Sequence, residues 1–172
     1  MASVKNAYRA SADLTVTNLH SLASSQSWIA GWGSGVVDNT TDLDLDKQIT
    51  AKLTIASSNN QAGEVRIGII TMLDDSNWPT VSSGTVGTEG AIAFVDTEER
   101  DAAVTLLAAC AVDTSTGAVI FVGMKSVAAL FGGVLPPKFV VFISGNATTT
   151  TTAQFAASGN QVTIKGIYQT VT

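Results

Sequence analysis

Three aspartates, Asp42, Asp44 and Asp46, alternate with two leucines and form the most regular set of acidic side chains in the sequence. On a strand all three carboxylates would point to one side, with neighbours about 7 Å apart. That spacing is too wide for one ion, and the segment lacks the glycine and the distal glutamate of an EF-hand loop. The pattern therefore favours a solvated strand face, with calcium binding as the alternative if the chain turns at Asn39 and Thr40.

Side chains suited to acid–base or nucleophilic catalysis are few. His20 is the only histidine and Cys110 is the only cysteine, and neither lies in a nucleophile motif. Glu98, Glu99 and Asp101 form a charged run, with no apolar pocket evident that would raise a carboxyl pKa. We therefore predict that the protein is not an enzyme and that it has no cofactor and no metal site.

Three tryptophans are candidates for binding a sugar by stacking. Trp28 and Trp32 are four residues apart, which places both rings on one face of a regular strand, and Trp78 lies in a polar loop. Exposed rings would form a glycan platform, whereas rings packed beside Leu14 or Val16 would belong to the core. The tryptophans therefore support the hypothesis of a β-sandwich module that binds carbohydrate.

The elements that carry these residues are predicted to be strands, because apolar residues alternate with polar ones or occur in short runs. The expected strands cover residues 13–19, 28–37, 42–55, 65–73, 91–95, 103–112, 118–124, 138–144 and 162–168. The spacing predicts that 42–55 pairs with 65–73, and that 103–112 and 118–124 form a hairpin. With one short helical turn near residues 127–131, the sequence predicts an all-β antiparallel sandwich that is jelly-roll-like.

Length and composition define the domain organisation and exclude some partners. A chain of 172 residues forms one domain, which we place at residues 12–172 behind a flexible N-terminal arm at 1–11. The net charge of −5 argues against nucleic-acid binding. No segment approaches eighteen consecutive apolar residues, so no membrane span is expected, and residues 1–12 lack the apolar stretch of a signal peptide, so we expect synthesis in a cytoplasm.

Charged residues make up 13% of the chain, about half the usual share. A neutral surface rich in Ser and Thr loses little electrostatic hydration when a neighbouring protein covers it. The composition therefore favours permanent packing against other proteins, including self-association, for which we expect a homotrimer.

Three further stretches of the sequence are Ser21–Ser25 with Trp28 and Asp38–Thr41, then Ala129–Lys138, and finally Gly166–Val171. Together they resemble a family of small virion structural proteins of tailed bacteriophages. The resemblance implies a decoration or cement protein that binds the outside of the head and stabilises it. It also implies the major capsid protein as partner and the capsid surface of the virion as location, with synthesis in the host cytoplasm. In the alternative, the carbohydrate-binding module would serve tail-associated adhesion to glycans of the host surface.

The N-terminal arm is the expected attachment segment. Val4 and Tyr8 are suited to lie across a neighbouring subunit by main-chain pairing, and Lys5 and Arg9 are suited to meet an acidic capsid surface. The alternative is a disordered terminus with no function.

Overall fold

A computed structural model of the protein describes residues 3–56, 63–112, 117–147 and 154–171. Two antiparallel sheets pack face to face around a main hydrophobic core, which confirms the predicted all-β sandwich. Several of the strands form because apolar residues alternate with polar ones, so that the strand buries one face.

The elements of the described part of the chain are short to medium strands and one α-helix. The strands are β1 (Val4–Tyr8), β2 (Ala12–Asp13), β3 (Ala30–Gly33), β4 (Val37–Asp38), β5 (Asp46–Thr54), β6 (Gly63–Thr71), β7 (Gly90–Ala93), β8 (Val104–Val112), β9 (Val119–Ser126), β10 (Lys138–Ala147) and β11 (Gln161–Val171). Helix α1 covers Thr97–Ala103, and 3-10 turns cover Thr17–Leu19 and Ala128–Phe131. The second of these turns confirms the short helical segment predicted near residues 127–131.

The first sheet has the strand order β1-β11-β5-β9, with β2 pairing with β11 beyond the end of β1. The second sheet has the order β7-β3-β10-β6-β8, with β4 also on β10. In β5 the predicted alternation is present, because Ile49, Ala51 and Leu53 are buried between the sheets while Lys52 is exposed. This part of β5 therefore has the burial pattern that its sequence predicts.

Strands β6 and β10 form the centre of the second sheet and are buried on both faces. Ile69 and Val141 face the main core, whereas Ile70 and Phe142 belong to a second, smaller cluster. Strands β7 and β8 are opposite edges of this sheet, so the segment that contains α1 has to cross from one edge to the other. It contributes Ala103 to the smaller cluster and so covers the outer face of the sheet.

Two predicted strand pairings are wrong. Strands β5 and β6 lie in different sheets and so do β8 and β9, although each pair is consecutive in sequence. Alternation identifies which face of a strand is buried but does not identify the strand that it pairs with. In a sandwich, two consecutive strands can lie in different sheets and face each other across the core. Their connections at residues 57–62 and 113–116, where turns are predicted, lie outside the described residues. The strand predicted at 13–19 is also wrong, because β2 ends at Asp13 and a 3-10 turn follows.

The predicted flexible arm is wrong for residues 4–8. Those residues form β1, which pairs with β11 in continuous register from Val4 opposite Val171 to Tyr8 opposite Ile167. Apolar positions in a segment of this length can pair with a sheet edge as readily as with a neighbouring subunit. The N-terminal segment is therefore an edge strand of the domain itself.

Candidate interaction surface

Asp42, Asp44 and Asp46 do not form the solvated strand face that their spacing predicts. Leu43 has φ 50° and its backbone N–H donates to the Asn39 carbonyl, so the chain turns there and β5 begins only at Asp46. The turn exposes Leu43 and directs the Asp44 side chain into the protein, where it is fully buried. The backbone N–H of Asp44 donates to Asn39 Oδ1, which holds the turn in place.

The buried Asp44 carboxylate is paired with two cations. Arg9 Nε donates to its Oδ1 at 2.7 Å, and Lys47 Nζ lies 2.7 Å from its Oδ2. Lys47 also contacts Asp42 at 3.0 Å, and this contact holds the pKa of Asp42 below its usual range. Arg9 and Lys47 neutralise the negative charge of Asp44, which a bound metal ion would otherwise have to do. These residues therefore form an ion-pair cluster that joins the end of β1 to the start of β5.

The predicted attachment residues divide into two groups. Val4 and Tyr8 are 60% and 59% exposed and Lys5 is also exposed, so all three lie open along β1. Arg9 is half-buried, with its guanidinium 2.9 Å from the Asp42 carbonyl and 4.9 Å from the centre of the Tyr168 ring. Arg9 therefore anchors the strand to the domain, and the other three remain accessible to a partner.

The three tryptophans do not form a joint platform, because Trp32 is fully buried. Its indole N–H donates to Glu89 Oε1 at 2.7 Å. Trp28 lies before β3 with φ 54°, and the Arg66 guanidinium stacks on its ring at 3.7 Å. Trp78 is half-buried against the smaller core cluster. The three rings therefore occupy three different environments.

The other singled-out residues also have structural partners. His20 Nδ1 lies 2.9 Å from the amide nitrogen of Asn160, and Cys110 is half-buried against the main core. Glu99 is in α1, whose N-terminus is capped by the Asp96 side chain. Within the described ranges no group of three or more His, Cys, Asp or Glu side chains is placed to hold a metal ion.

The feature that the sequence does not locate is an uncharged side of the sandwich. Strands β8 and β9 are edges of their sheets, they contact each other, and each has a hydrogen-bonded neighbour strand on one side in the described residues. Neither Val104–Val112 nor Val119–Met124 contains a charged residue. We call these two segments the β8–β9 edge.

Large apolar side chains are exposed along the β8–β9 edge. Phe121 is 73% exposed and Met124 is 63% exposed, and Leu106 and Val119 are also open to solvent. Proteins that stay monomeric usually protect an edge strand with charge, proline or a covering loop. Strand β7 has such cover, because the Ser82 N–H donates to the Ala93 carbonyl. The β8–β9 edge therefore combines two open strand edges with exposed apolar side chains, and another protein can pair with such an edge.

A groove of about 570 Å³ lies elsewhere, near the start of β10. Phe131, Val134 and Leu135 provide apolar lining, and Asp74 and Asp75 provide carboxylates. Asp74 accepts from the Asn77 side chain and from two backbone N–H groups, and these bonds hold its pKa below its usual range. The volume falls within the range of small-ligand sites, and the lining suits a ligand with an apolar face and hydrogen-bond donors.

The chain matches no family model, no curated protein and no solved structure. No helix in the described ranges is both long and apolar enough to cross a membrane. Function therefore has to be inferred from the residues and surfaces of this chain.

Sequence reasoning missed both the ion-pair cluster and the β8–β9 edge. The cluster joins Arg9 to Asp44, which are 35 positions apart, so no local spacing connects them. The sequence shows that both segments lack charge. The predicted hairpin, however, pairs β8 with β9 and so leaves neither strand with an open edge on that side. The lack of charged residues in both segments was the sequence feature that could have indicated an edge covered by other protein.

Proposed function

We propose that this is a non-enzymatic structural protein that acts by packing permanently against other proteins, as a decoration protein on the outside of a tailed-phage head. The observation that carries the packing role is the β8–β9 edge, where each strand has a neighbour strand on one side only in the described residues and where Phe121 and Met124 are exposed. The phage setting is supported by the resemblance of three sequence stretches to small virion proteins.

The pairing of the N-terminal strand with the sheet supports a structural role. The first sheet holds its N-terminal strand by the register of β1 with β11 and by the contact of the half-buried Arg9 with the buried Asp44. An edge strand offers backbone N–H and C=O groups that another protein can pair with, at little cost in conformational entropy when the strand is already ordered.

We also infer a jelly-roll arrangement from the strand order. The first and last long strands, β1 and β11, are neighbours, and successive strands β5 and β6 cross between the sheets. Double-sheet jelly rolls occur in viral capsid proteins and also in lectins. The arrangement is thus compatible with both functional hypotheses and does not choose between them.

Stabilisation of a shell follows from mass action. A protein that binds only the assembled shell stabilises it by RT ln(1 + [L]/Kd), about 2.7 kcal/mol per site at a hundredfold excess over Kd. Because a shell offers many equivalent sites, modest affinity at each site is sufficient for a large total effect. The proposal therefore requires repeated binding and does not require a deep pocket.

The proposal is tested by co-sedimentation with phage heads that lack the protein. The wild type is expected to pellet with the heads, and Phe121→Lys is expected to lose most of that binding because it places a charge in the apolar edge. Val95→Lys is the matched control, since Val95 is also exposed but lies outside the edge. Failure of the wild type to bind heads, or equal binding by both variants, contradicts the proposal.

The groove supports the alternative of a carbohydrate-binding module. It offers an aromatic ring in Phe131 and hydrogen-bonding groups in Asp74, Asp75 and Thr40, whereas Trp32 is buried. Titration with host-surface glycans, followed by calorimetry, tests this alternative. Saturable binding that is lost in Phe131→Ala and retained in Trp28→Ala would favour it over the decoration role.

A further inference from the structure

We infer that the groove near the start of β10 binds a small organic cation, namely an ammonium or guanidinium group joined to an apolar body. Its volume of about 570 Å³ is that of a small-ligand site. Among the described residues that line the groove, none belongs to the β8–β9 edge, so the inference goes beyond the proposed packing role. Fixed walls, an apolar floor and an excess of carboxylates support it.

Hydrogen bonds hold two walls of the groove in place. The Leu73 N–H donates to the Asn77 carbonyl at 2.8 Å and closes the turn after β6. The Asn39 N–H donates to the Pro137 carbonyl at 2.8 Å and joins the turn after β4 to the start of β10. A ligand therefore enters a formed site and does not have to order these walls, which would otherwise weaken its binding.

The floor of the groove is apolar. Leu135 and Pro136 line it as buried residues, and Phe131 lines it as a half-buried one. Val134 also lines the groove, and it is 71% exposed. Contact with an apolar ligand would remove part of this surface from water, which favours binding in proportion to the area covered. The ligand is therefore expected to carry an apolar body.

The groove contains two carboxylates that no cation of the domain neutralises. Asp74 and Asp75 line it, and within the described ranges neither forms an ion pair with a lysine or an arginine. Lys138 is the one basic side chain among the described lining residues, and its ammonium lies 3.8 Å from the Asp38 carboxylate, which offsets its charge. The groove therefore has a local negative charge that a cationic ligand would compensate.

The lining also favours a ligand that donates hydrogen bonds. Asp74 stays ionised at neutral pH, because the Asn77 side chain and two backbone N–H groups hold its pKa below its ordinary value. The Thr40 hydroxyl donates to Asp38 Oδ1 at 2.6 Å, so its oxygen is left to accept. A neutral sugar would donate to these acceptors but would leave the charge of the carboxylates uncompensated, whereas an ammonium or guanidinium group does both.

Three ligands of similar size test the charge requirement. Phenethylammonium, phenethyl alcohol and phenylacetate share a phenyl ring on a short chain and are cationic, neutral and anionic. In a titration of the full chain followed by amide NMR spectra, the ammonium should bind roughly tenfold more tightly than the alcohol, and phenylacetate should bind most weakly. The amide signals of Thr40 and Thr71, which line the groove, should shift during the titration.

Matched variants test the assigned residues. Asp75→Asn should weaken the binding of phenethylammonium roughly tenfold and leave that of phenethyl alcohol unchanged, because the side chain keeps its size and loses its charge. Val134→Ser should weaken the binding of both ligands alike, because it removes apolar surface from the groove. Glu98→Gln is the control and should change neither affinity, since Glu98 is exposed on α1 and is not a lining residue.

The outcomes separate this inference from the proposed function. Equal affinity for the three ligands, or ammonium binding that Asp75→Asn leaves unchanged, would overturn the cation site and leave the packing role intact. Tighter binding of a host-surface glycan at the same amides would also overturn it, as would much tighter binding of a lysine-containing peptide, which would indicate a docking groove for another protein. A chain that binds the ammonium as expected but ignores phage heads would overturn only the decoration role.

Discussion

Arg9 Nε lies 2.7 Å from Oδ1 of Asp44, whose side chain is completely buried. This contact joins the end of the N-terminal edge strand to the turn that precedes β5. Because Lys47 also pairs with the same carboxylate, loss of Asp44 would leave two cations without their main partner. Together with the pairing of β1 with β11, the contact makes the N-terminal segment part of the domain.

The Asp44 carboxylate should be important for the stability of the fold. Asp44→Ala is expected to lower the free energy of unfolding by about 3–5 kcal/mol, because it leaves the largely buried Lys47 ammonium poorly compensated. Urea denaturation measures the change. Asp42→Ala is the control, since the Asp42 side chain is 42% exposed, and it should change stability far less. Equal effects from the two variants would show that the cluster does not stabilise the fold.

The second prediction uses two glycines with different surroundings. A Cβ added at Gly166 would overlap Oδ2 of Asp44 and lie 3.2 Å from Cδ of Arg9, whereas one added at Gly123 meets nothing within 4 Å. Gly166→Ala should therefore lower the free energy of unfolding by about 1–3 kcal/mol through overpacking. Gly123→Ala on β9 should be close to neutral in the same thermal or urea titration. A neutral Gly166→Ala would contradict the tight packing at the cluster.

The sequence was sufficient to predict the fold class and most strands. In β5 and β11 the alternation of buried and exposed residues has the period of two that a half-buried strand requires, and the structure has strands there. Strand partners could not be predicted, because pairings such as β1 with β11 join the two ends of the chain. Long-range pairing depends on how faces fit together, and one sequence does not contain that information locally.

The functional surface was less predictable than the fold. The regular Asp42, Asp44 and Asp46 spacing predicted a strand, but the left-handed backbone at Leu43 interrupts it. Leucine rarely adopts that conformation, so propensity gave no warning. The Trp28 and Trp32 spacing also failed, because β3 begins only at Ala30 and the period of two does not extend back to Trp28.

The third prediction concerns pH. Hydrogen bonds from Thr163 and Gln161 hold the pKa of Asp13 below its ordinary value, and the Asn77 side chain does the same for the pKa of Asp74. The unfolded chain therefore binds more protons than the folded chain below about pH 4. The stability from these groups is present above that pH and is lost as pH falls through the lowered pKa values.

Denaturation between pH 2 and 7 measures this dependence. The wild type should lose stability on acidification below about pH 4, and Asp13→Asn should show a shallower loss over the same interval. Stability that rises on acidification below pH 4, or an Asp13→Asn profile as steep as the wild type, would contradict the assigned hydrogen bonds.

The fourth prediction concerns the buried tryptophan. Glu89 accepts hydrogen bonds from the Trp32 indole at 2.7 Å and from the Asn18 backbone at 2.8 Å. Glu89→Ala should cost about 1–3 kcal/mol, since it leaves a buried N–H without an acceptor, and Glu89→Gln should retain much of the stability. The exposed Glu98→Ala is the control, and Glu89→Ala should also shift the tryptophan emission. An unchanged spectrum with unchanged stability would place Trp32 elsewhere.

The central claim is that the uncharged β8–β9 edge makes this protein associate. Sedimentation equilibrium of the purified chain across a wide concentration range tests it most directly. We predict a mass that is a whole-number multiple of 17.7 kDa and that falls toward a single chain in Phe121→Lys. A wild-type protein that sediments as one chain of 17.7 kDa at every concentration would contradict the account.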